Sequence, residues 1–127
     1  LINNNVAVIL PMGRGIDKKT YNVNADEAAA SISAGLKAEK LVILTNVKGI
    51  MRNPDDHNSF ISTLSIKEAK ALTREKVVQQ GMIPKVEACV SALENGVKKT
   101  HIIDARISHG LLLEIFTNTG IGTEIVK

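Results

Sequence analysis

Short apolar runs rich in β-branched residues alternate along this chain with stretches that carry helix-start signals, and that alternation limits the possible folds more than any single residue does. Val6 to Leu10 is one such run, closed by Pro11 and the glycines Gly13 and Gly15, and Leu41 to Leu44 is another, bounded by Lys40 and Thr45. Continuous apolar runs of this length suit strands covered on both faces, as in a parallel sheet sandwiched between helices. Thr100 to Ile103 reads as a further short strand, and Thr123 to Val126 as a last one, expected near a sheet edge.

Between the runs lie helices. Asn24 followed by Glu27 resembles a capping box ahead of Ala28 to Leu36, and Ser65 with Glu68 repeats the signal ahead of Ala69 to Arg74. A third helix is expected to start near Pro84, with Val86, Cys89, Val90 and Leu93 on its apolar stripe and Gly96 as its stop. Leu111 to Phe116 reads as a fourth. The polar stretch Arg52 to Ser59, which holds Asn53, Pro54, Asp55, Asp56 and Asn58, is a surface connection suited to joining two small strands as a hairpin. Strand and helix patterns in alternation imply an α/β layer structure with a largely parallel sheet, formed by residues 1–127 as one domain. Ligands in such sheets bind beyond the carboxyl ends of the strands, here the loops after Leu10, Leu44 and Ile103.

Composition narrows the function. A net charge of +3 suits an anionic ligand or nucleic acid, but the aromatic complement is one tyrosine and two phenylalanines with no tryptophan, which leaves no stacking platform for a single strand. No apolar stretch approaches membrane-spanning length. The single cysteine, Cys89, has no partner for a disulfide and sits among apolar neighbours, so a cytosolic protein is expected. The chain opens on Leu1, with neither an initiator methionine nor a targeting segment, and is expected to be a piece of a longer protein.

Several residues invite chemistry. Pro11 to Gly15 is able to turn backbone N–H groups toward an anion, but two glycines at this spacing are a weak signal and a plain turn accounts for it better. No GxxxxGK[ST] loop and no GxGxxG follows a strand. Asn22, Asn24 and Asp26 stand where the chain enters a helix, and capping alone explains Asn24 and a first-turn acid. Lys85 is less ordinary, because a cation in the first turn of a helix opposes the helix dipole by roughly 0.3 to 1 kcal/mol. A bound anion would remove the conflict, with Pro84 presetting the turn and Gly81 permitting close approach; a lysine pointing into water is the plain alternative. His57, His101 and His109 form no recognised metal motif, and no side-chain metal ligand is assigned.

Taken in order, Tyr21-Asn-Val-Asn-Ala-Asp26, Leu44-Thr-Asn-Val-Lys-Gly-Ile50, Gly81-Met-Ile-Pro-Lys-Val-Glu-Ala88 and His101-Ile-Ile-Asp104 through Leu111-Leu-Leu-Glu114 resemble the acetylglutamate kinases of the amino-acid kinase family, over essentially the whole chain and specifically the nucleotide-binding, C-terminal half. The resemblance implies an αβα sandwich and transfer of the γ-phosphoryl of ATP to the side-chain carboxylate of N-acetyl-L-glutamate, with Mg²⁺ bound mainly through ATP. It implies that Lys85 stabilises charge on the phosphoryl, that Asp26 positions catalytic lysines, and that Asn22 contacts the substrate carboxylate. Thr45, Asn46, Val47, Gly49, Ile50, Gly81 and Met82 match nucleotide-contacting positions. Asn46 departs from the family's frequent aspartate and Ala105 from its usual glycine.

The C-terminal segment from His101 to Thr123 resembles that of arginine-inhibited members, which implies a regulatory arginine pocket with His101, Glu114 and Gly120, and a parent that is a homodimer or homohexamer. The location implied is cytoplasmic, or the plastid stroma in a plant or alga. The family's first catalytic lysine and its glycine-rich loops belong to a half absent from this chain, so no kinase activity is expected of it alone. Three alternatives stay open: a related kinase of acetylaminoadipate or an aminoacyl carrier protein in lysine synthesis, a non-catalytic nucleotide-binding regulatory module, and a basic nucleic-acid-binding domain.

Overall fold

The computed structural model describes residues 6–53, 55–117 and 120–127. Leu1, Pro54 of the polar connection, and positions 118 and 119 of the C-terminal segment lie outside the described residues. Two strands, β1 (Met12–Arg14) and β2 (Thr20–Asn22), form an antiparallel hairpin in which Gly13 is opposite Tyr21. Helix α1 (Ala25–Gly35) follows, then β3 (Lys40–Thr45), a short 3-10 turn at His57–Ser59, β4 (Thr63–Ser65), α2 (Ile66–Arg74), α3 (Ile83–Glu94), β5 (Lys99–Asp104), α4 (Gly110–Phe116) and β6 (Thr123–Val126).

The main sheet has the order β3-β5-β6-β4. β3 and β5 run parallel, with Leu44 opposite Ile103, and so do β4 and β6; β5 and β6 are antiparallel. Alternation along β5 sorts the helices to two faces. Ile102 joins one buried cluster with Ala30 of α1, Ala69 and Leu72 of α2, and Val86, Cys89, Val90 and Leu93 of α3. The neighbouring His101 points the other way and meets Glu114 of α4. The result is the expected three-layer α/β arrangement, with α1, α2 and α3 on one face and α4 on the other.

The helix starts follow the sequence signals. Asn24 Oδ1 accepts from the N–H groups of Asp26 and Glu27, and Ser65 and Glu68 complete a reciprocal capping box. The stops use the left-handed backbone region: Lys37 (φ 49°), Lys76 (φ 58°) and Gly96 (φ 107°) follow α1, α2 and α3. Short connections, 36–39 and 95–98, join α1 to β3 and α3 to β5, so each helix runs back along its strand. The amino-terminal ends of α1 and α3 therefore lie over the carboxyl ends of β3 and β5, where a ligand site is expected.

Three expectations are corrected. Val6 to Leu10 is not a strand: Val6 is 87 % and Val8 90 % exposed, because an apolar run becomes a buried strand only where a sheet edge pairs with it, and no described strand does. The Pro11 to Gly15 turn is instead partly strand, because Met12–Arg14 pairs with Thr20–Asn22 and the glycines lie within and beside that ladder. β6 is not at an edge but between β5 and β4; its neighbour β4 is a three-residue strand too short to show a sequence period. The polar connection does close as expected, through an antiparallel bridge of Met51 with Phe60.

Candidate functional site

Asp26 in the first turn of α1 and Lys85 in the first turn of α3 meet over the carboxyl edge of the sheet. Lys85 Nζ donates to Asp26 Oδ2 at 3.0 Å, with the two side chains 23 % and 19 % exposed. The conflict between a lysine and its helix dipole is thus relieved by a carboxylate of the neighbouring helix. Asp26 is itself favourably placed at the positive end of α1. Both side chains keep a partly open surface, and the ammonium retains donors for an incoming anion.

A second feature lies at the carboxyl end of β3. Val47, Gly49, Ile50 and Met82 line one cleft together with Met51, Val77, Val78 and Gln79, about 300 Å³ in volume counting its mouth. Its floor is buried, with Ile50 2 % and Met82 7 % exposed. Thr45 is the last residue of β3, and its carbonyl accepts from the Ala105 N–H at 2.8 Å. Asn46 and Gly81 are exposed beside the cleft and do not line it, and Asn22 ends β2, exposed, opposite Met12. The structure therefore gathers Val47, Gly49, Ile50 and Met82 and, separately, Asp26 with Lys85.

The remaining candidates converge at the other end of the sheet. His101, Glu114 and Gly120 line one polar recess of about 970 Å³ counting its mouth, with Lys40, Lys99 and Glu124 among the other walls. His101 Nδ1 and Glu114 Oε1 are 2.8 Å apart and both residues are buried. Glu114 Oε2 accepts from the N–H groups of Ile121 at 2.8 Å and Gly122 at 3.3 Å. Burial pushes the Glu114 carboxyl up, but these N–H groups and the His101 ring outweigh it and hold its pKa below the ordinary value. Both oxygens of Glu114 are thus engaged within the protein, which sequence reasoning, treating it as a free acceptor, did not foresee. Among the described residues, the buried side-chain nitrogen or oxygen left without a hydrogen-bond partner is His101 Nε2, 3.9 Å from Glu124 Oε1. Glu124 in turn pairs with Lys99 at 2.9 Å.

Two further groups lie within quoted motifs but were not among the candidate site residues. Asp104, at the end of β5, is bound by Arg106 through Nε at 2.9 Å, a terminal guanidinium nitrogen at 2.8 Å and the backbone N–H at 2.9 Å, which lowers its carboxyl to about 2. Thr123 Oγ1, fully buried, accepts from Ile50 N–H at 2.9 Å and donates to the Ile61 carbonyl at 2.7 Å. Cys89 is core, as expected: burial drives its thiol up to about 12, which rules out a thiolate nucleophile. Among the described residues no group of three or more His, Cys, Asp and Glu side chains is arranged to hold a metal, and no helix is long and apolar enough to cross a membrane.

A three-layer α/β unit with a lysine–carboxylate pair and an apolar cleft at the carboxyl edge of its sheet has the architecture in which small-molecule ligands are bound at that edge. The chain belongs to the amino acid kinase family, whose model matches residues 1–104. It is 51 % identical over 125 residues to the acetylglutamate kinase of Syntrophomonas wolfei, covering 98 % of this chain and 44 % of that protein. It is 52 % identical over 127 residues to that of Methanobrevibacter smithii, covering 100 % of this chain and 44 % of that one. The chain thus spans less than half the length of these relatives. These likenesses do not bear out the expectation that the chain is the C-terminal half in particular.

Among solved structures, the N-acetylglutamate synthase of Neisseria gonorrhoeae, complexed with coenzyme A and L-arginine, superposes with a TM-score of 0.83 at 38 % identity over 92 % of this chain and 26 % of that one. A carbamate kinase from Giardia lamblia, at 24 % identity and a TM-score of 0.69, covers 91 % of this chain and 37 % of that one, and shares the fold.

Proposed function

We propose that this chain is the nucleotide-binding part of a kinase that transfers the γ-phosphoryl of ATP to the side-chain carboxylate of N-acetyl-L-glutamate, a step toward arginine. The observation that carries the reading is the Asp26–Lys85 pair at the carboxyl edge of the sheet, in a chain half identical to acetylglutamate kinases. In this reaction a carboxylate oxygen attacks the γ-phosphorus, the bond to the β-phosphate bridging oxygen breaks, and ADP leaves as an acyl phosphate forms. Such transfer needs positioning and charge neutralisation more than covalent help. Lys85 supplies the charge on the transferring group, and Asp26 fixes where the ammonium sits.

Val47, Gly49, Ile50 and Met82 take the nucleotide's apolar portion, with Thr45, Asn46 and Gly81 at the cleft's borders, and Asn22 reaches the acylamino acid. Mg²⁺ enters on the triphosphate. The recess at His101, Glu114 and Gly120 takes arginine as an inhibitor of the intact enzyme, a reading supported by the arginine complex of the similar synthase. With Glu114 already engaged, the guanidinium or amino group meets the acceptors that remain, His101 Nε2 and Glu124. The intact enzyme is a cytoplasmic homodimer or homohexamer.

A coupled ADP-release assay tests the proposal. The intact protein turns over with N-acetyl-L-glutamate and less well with acetylaminoadipate, whereas the 127-residue chain does not, because the rest of the reacting constellation is outside it. Turnover by the chain alone would overturn the division of labour, and preference for acetylaminoadipate would move the enzyme to lysine synthesis.

A further inference from the structure

We infer that Thr123, on the last strand and in none of the motifs of the nucleotide cleft, is the positioning residue that holds the 47–50 turn in shape for the nucleotide. The inference rests on the reading of that turn as a nucleotide contact. Its basis is a buried hydroxyl that satisfies two backbone groups at once: Oγ1 accepts from Ile50 N–H at 2.9 Å and donates to the Ile61 carbonyl at 2.7 Å. Those two residues are also bonded to each other, Ile61 N–H donating to the Ile50 carbonyl at 2.9 Å. One side chain thereby closes the turn against the segment that leads from the polar connection into β4.

The packing around the hydroxyl is close on the turn side. Gly49 has φ +145°, and a Cβ there would lie 2.6 Å from Thr123 Oγ1 and 2.8 Å from Phe60 Cε2. The turn is therefore seated on the threonine hydroxyl and on the Phe60 ring, over which the Lys48 ammonium also lies, 5.0 Å from the centroid. Sixty and more residues separate Thr123 from the turn, so only the tertiary fold puts them together; the Ile50 bond spans 73 positions. Without the hydroxyl, the buried Ile50 N–H loses its partner and the partly buried Ile61 C=O loses a donor, a cost the turn escapes by moving outward to water. Ile50 and Gly49 line the cleft, so that movement alters the nucleotide's contacts and leaves Lys85 and Asp26 where they are.

The test compares Thr123→Val, which keeps the shape and removes the hydroxyl, with Thr123→Ser, which keeps the hydroxyl, in the intact protein. For the valine variant the KM for ATP rises about tenfold, the scale of one lost buried hydrogen bond, while kcat stays within about twofold of the wild type; the serine variant restores the KM. A valine variant with an unchanged KM overturns the inference, and so does a serine variant as impaired as the valine one, since shape and not hydrogen bonding would then be the cause. If the valine variant does not fold, amide hydrogen exchange at Ile50 in the wild type decides: protection well above that of exposed turn amides, deepened by ATP, supports the role, and exchange as fast as an open turn removes it. An intact protein that binds no ATP while Ile50 stays protected refutes the nucleotide reading instead.

Discussion

Lys85 Nζ and Asp26 Oδ2 lie 3.0 Å apart, joining the starts of two helices 59 positions distant in the chain. The pair resolves an electrostatic oddity visible in the sequence, a cation in a helix's first turn, and it does so with a carboxylate that is itself well placed at a helix start. A cation held this way is fixed in direction without being hidden, since both side chains remain partly exposed.

If Lys85 is the preorganised donor to the transferring phosphoryl, Lys85→Ala in the intact enzyme lowers kcat by roughly two to three orders of magnitude, as removal of such a donor does elsewhere. Thermal unfolding distinguishes this from a folding defect: the melting temperature changes little, because a partly exposed pair contributes modestly. A near-normal rate would take Lys85 out of the mechanism.

Asn24 controls the same site one step back. Its Oδ1 holds the N–H groups of Asp26 and Glu27, so Asn24→Ala is expected to cost about 1 kcal/mol of stability, the usual worth of an N-cap. Denaturant midpoints at unchanged slope measure it. Because the fraying begins at Asp26, the rate of the intact enzyme falls with the stability, whereas Ser65→Ala, at the cap of α2, costs a similar stability and leaves the rate alone.

How far the sequence carried this reading depends on the range of the forces involved. Caps and stops are local, and Asn24, Ser65 with Glu68, Pro84 and Gly96 stand where their residue types indicate. The convergence of Asp26 and Lys85 was legible because both belong to helix starts that the alternating pattern sends to one edge of the sheet. Strand status is another matter, since it depends on a pairing partner: Val6 to Leu10 has strand composition and no described partner, while Met12–Arg14 pairs despite its glycine. The engagement of Glu114 by His101 and by Ile121 and Gly122, and the hold of Thr123 on Ile50, are contacts between distant segments that no local spacing announces.

Gly49→Ala tests the packing of the cleft turn. The substitution asks an alanine to adopt φ +145° and drives its Cβ to 2.6 Å from Thr123 Oγ1 and 2.8 Å from Phe60 Cε2. A backbone strain of about 1–3 kcal/mol is expected in the folded state, seen as a lower denaturation midpoint, and ATP binding by the intact protein weakens along with it. Gly35→Ala is the control, since a Cβ there meets nothing within 4 Å.

Asp104 gives the protein a defined response to acid. Its carboxyl is lowered to about 2, first by the Arg106 side chain and then by the Arg106 N–H. A carboxyl depressed in the folded state contributes stability that is fully present above its unfolded pKa, near 3.9, and is lost as the pH falls through that value toward 2. Arg106→Gln raises the folded pKa of Asp104, so the difference in stability between wild type and variant is largest at neutral pH and shrinks below pH 4. Urea midpoints from pH 7 to pH 2.5 read this directly, and a difference that stays constant with pH would mean that Arg106 acts by packing and not by its charge.

Control by arginine is the last expectation, and the recess at the far end of the sheet shapes it. Glu114 spends one oxygen on His101 and the other on two N–H groups of the segment leading into β6. Its first task is therefore to fix the imidazole and the 121–122 backbone. With Nδ1 held by Glu114, the free ring atom is Nε2, buried, without a partner and 3.9 Å from Glu124. Glu114→Ala in the intact enzyme accordingly weakens inhibition by arginine through loss of the recess's shape, while ATP use changes much less because the Asp26–Lys85 pair lies at the opposite edge. His101→Gln weakens inhibition with Glu114 still in place, and Glu124→Gln does so by removing the charge nearest the unpartnered ring nitrogen. Initial rates at saturating ATP and acetylglutamate, titrated with arginine, rank the three variants. Normal sensitivity in all of them, or an intact enzyme that arginine leaves fully active, would assign the recess to structure alone.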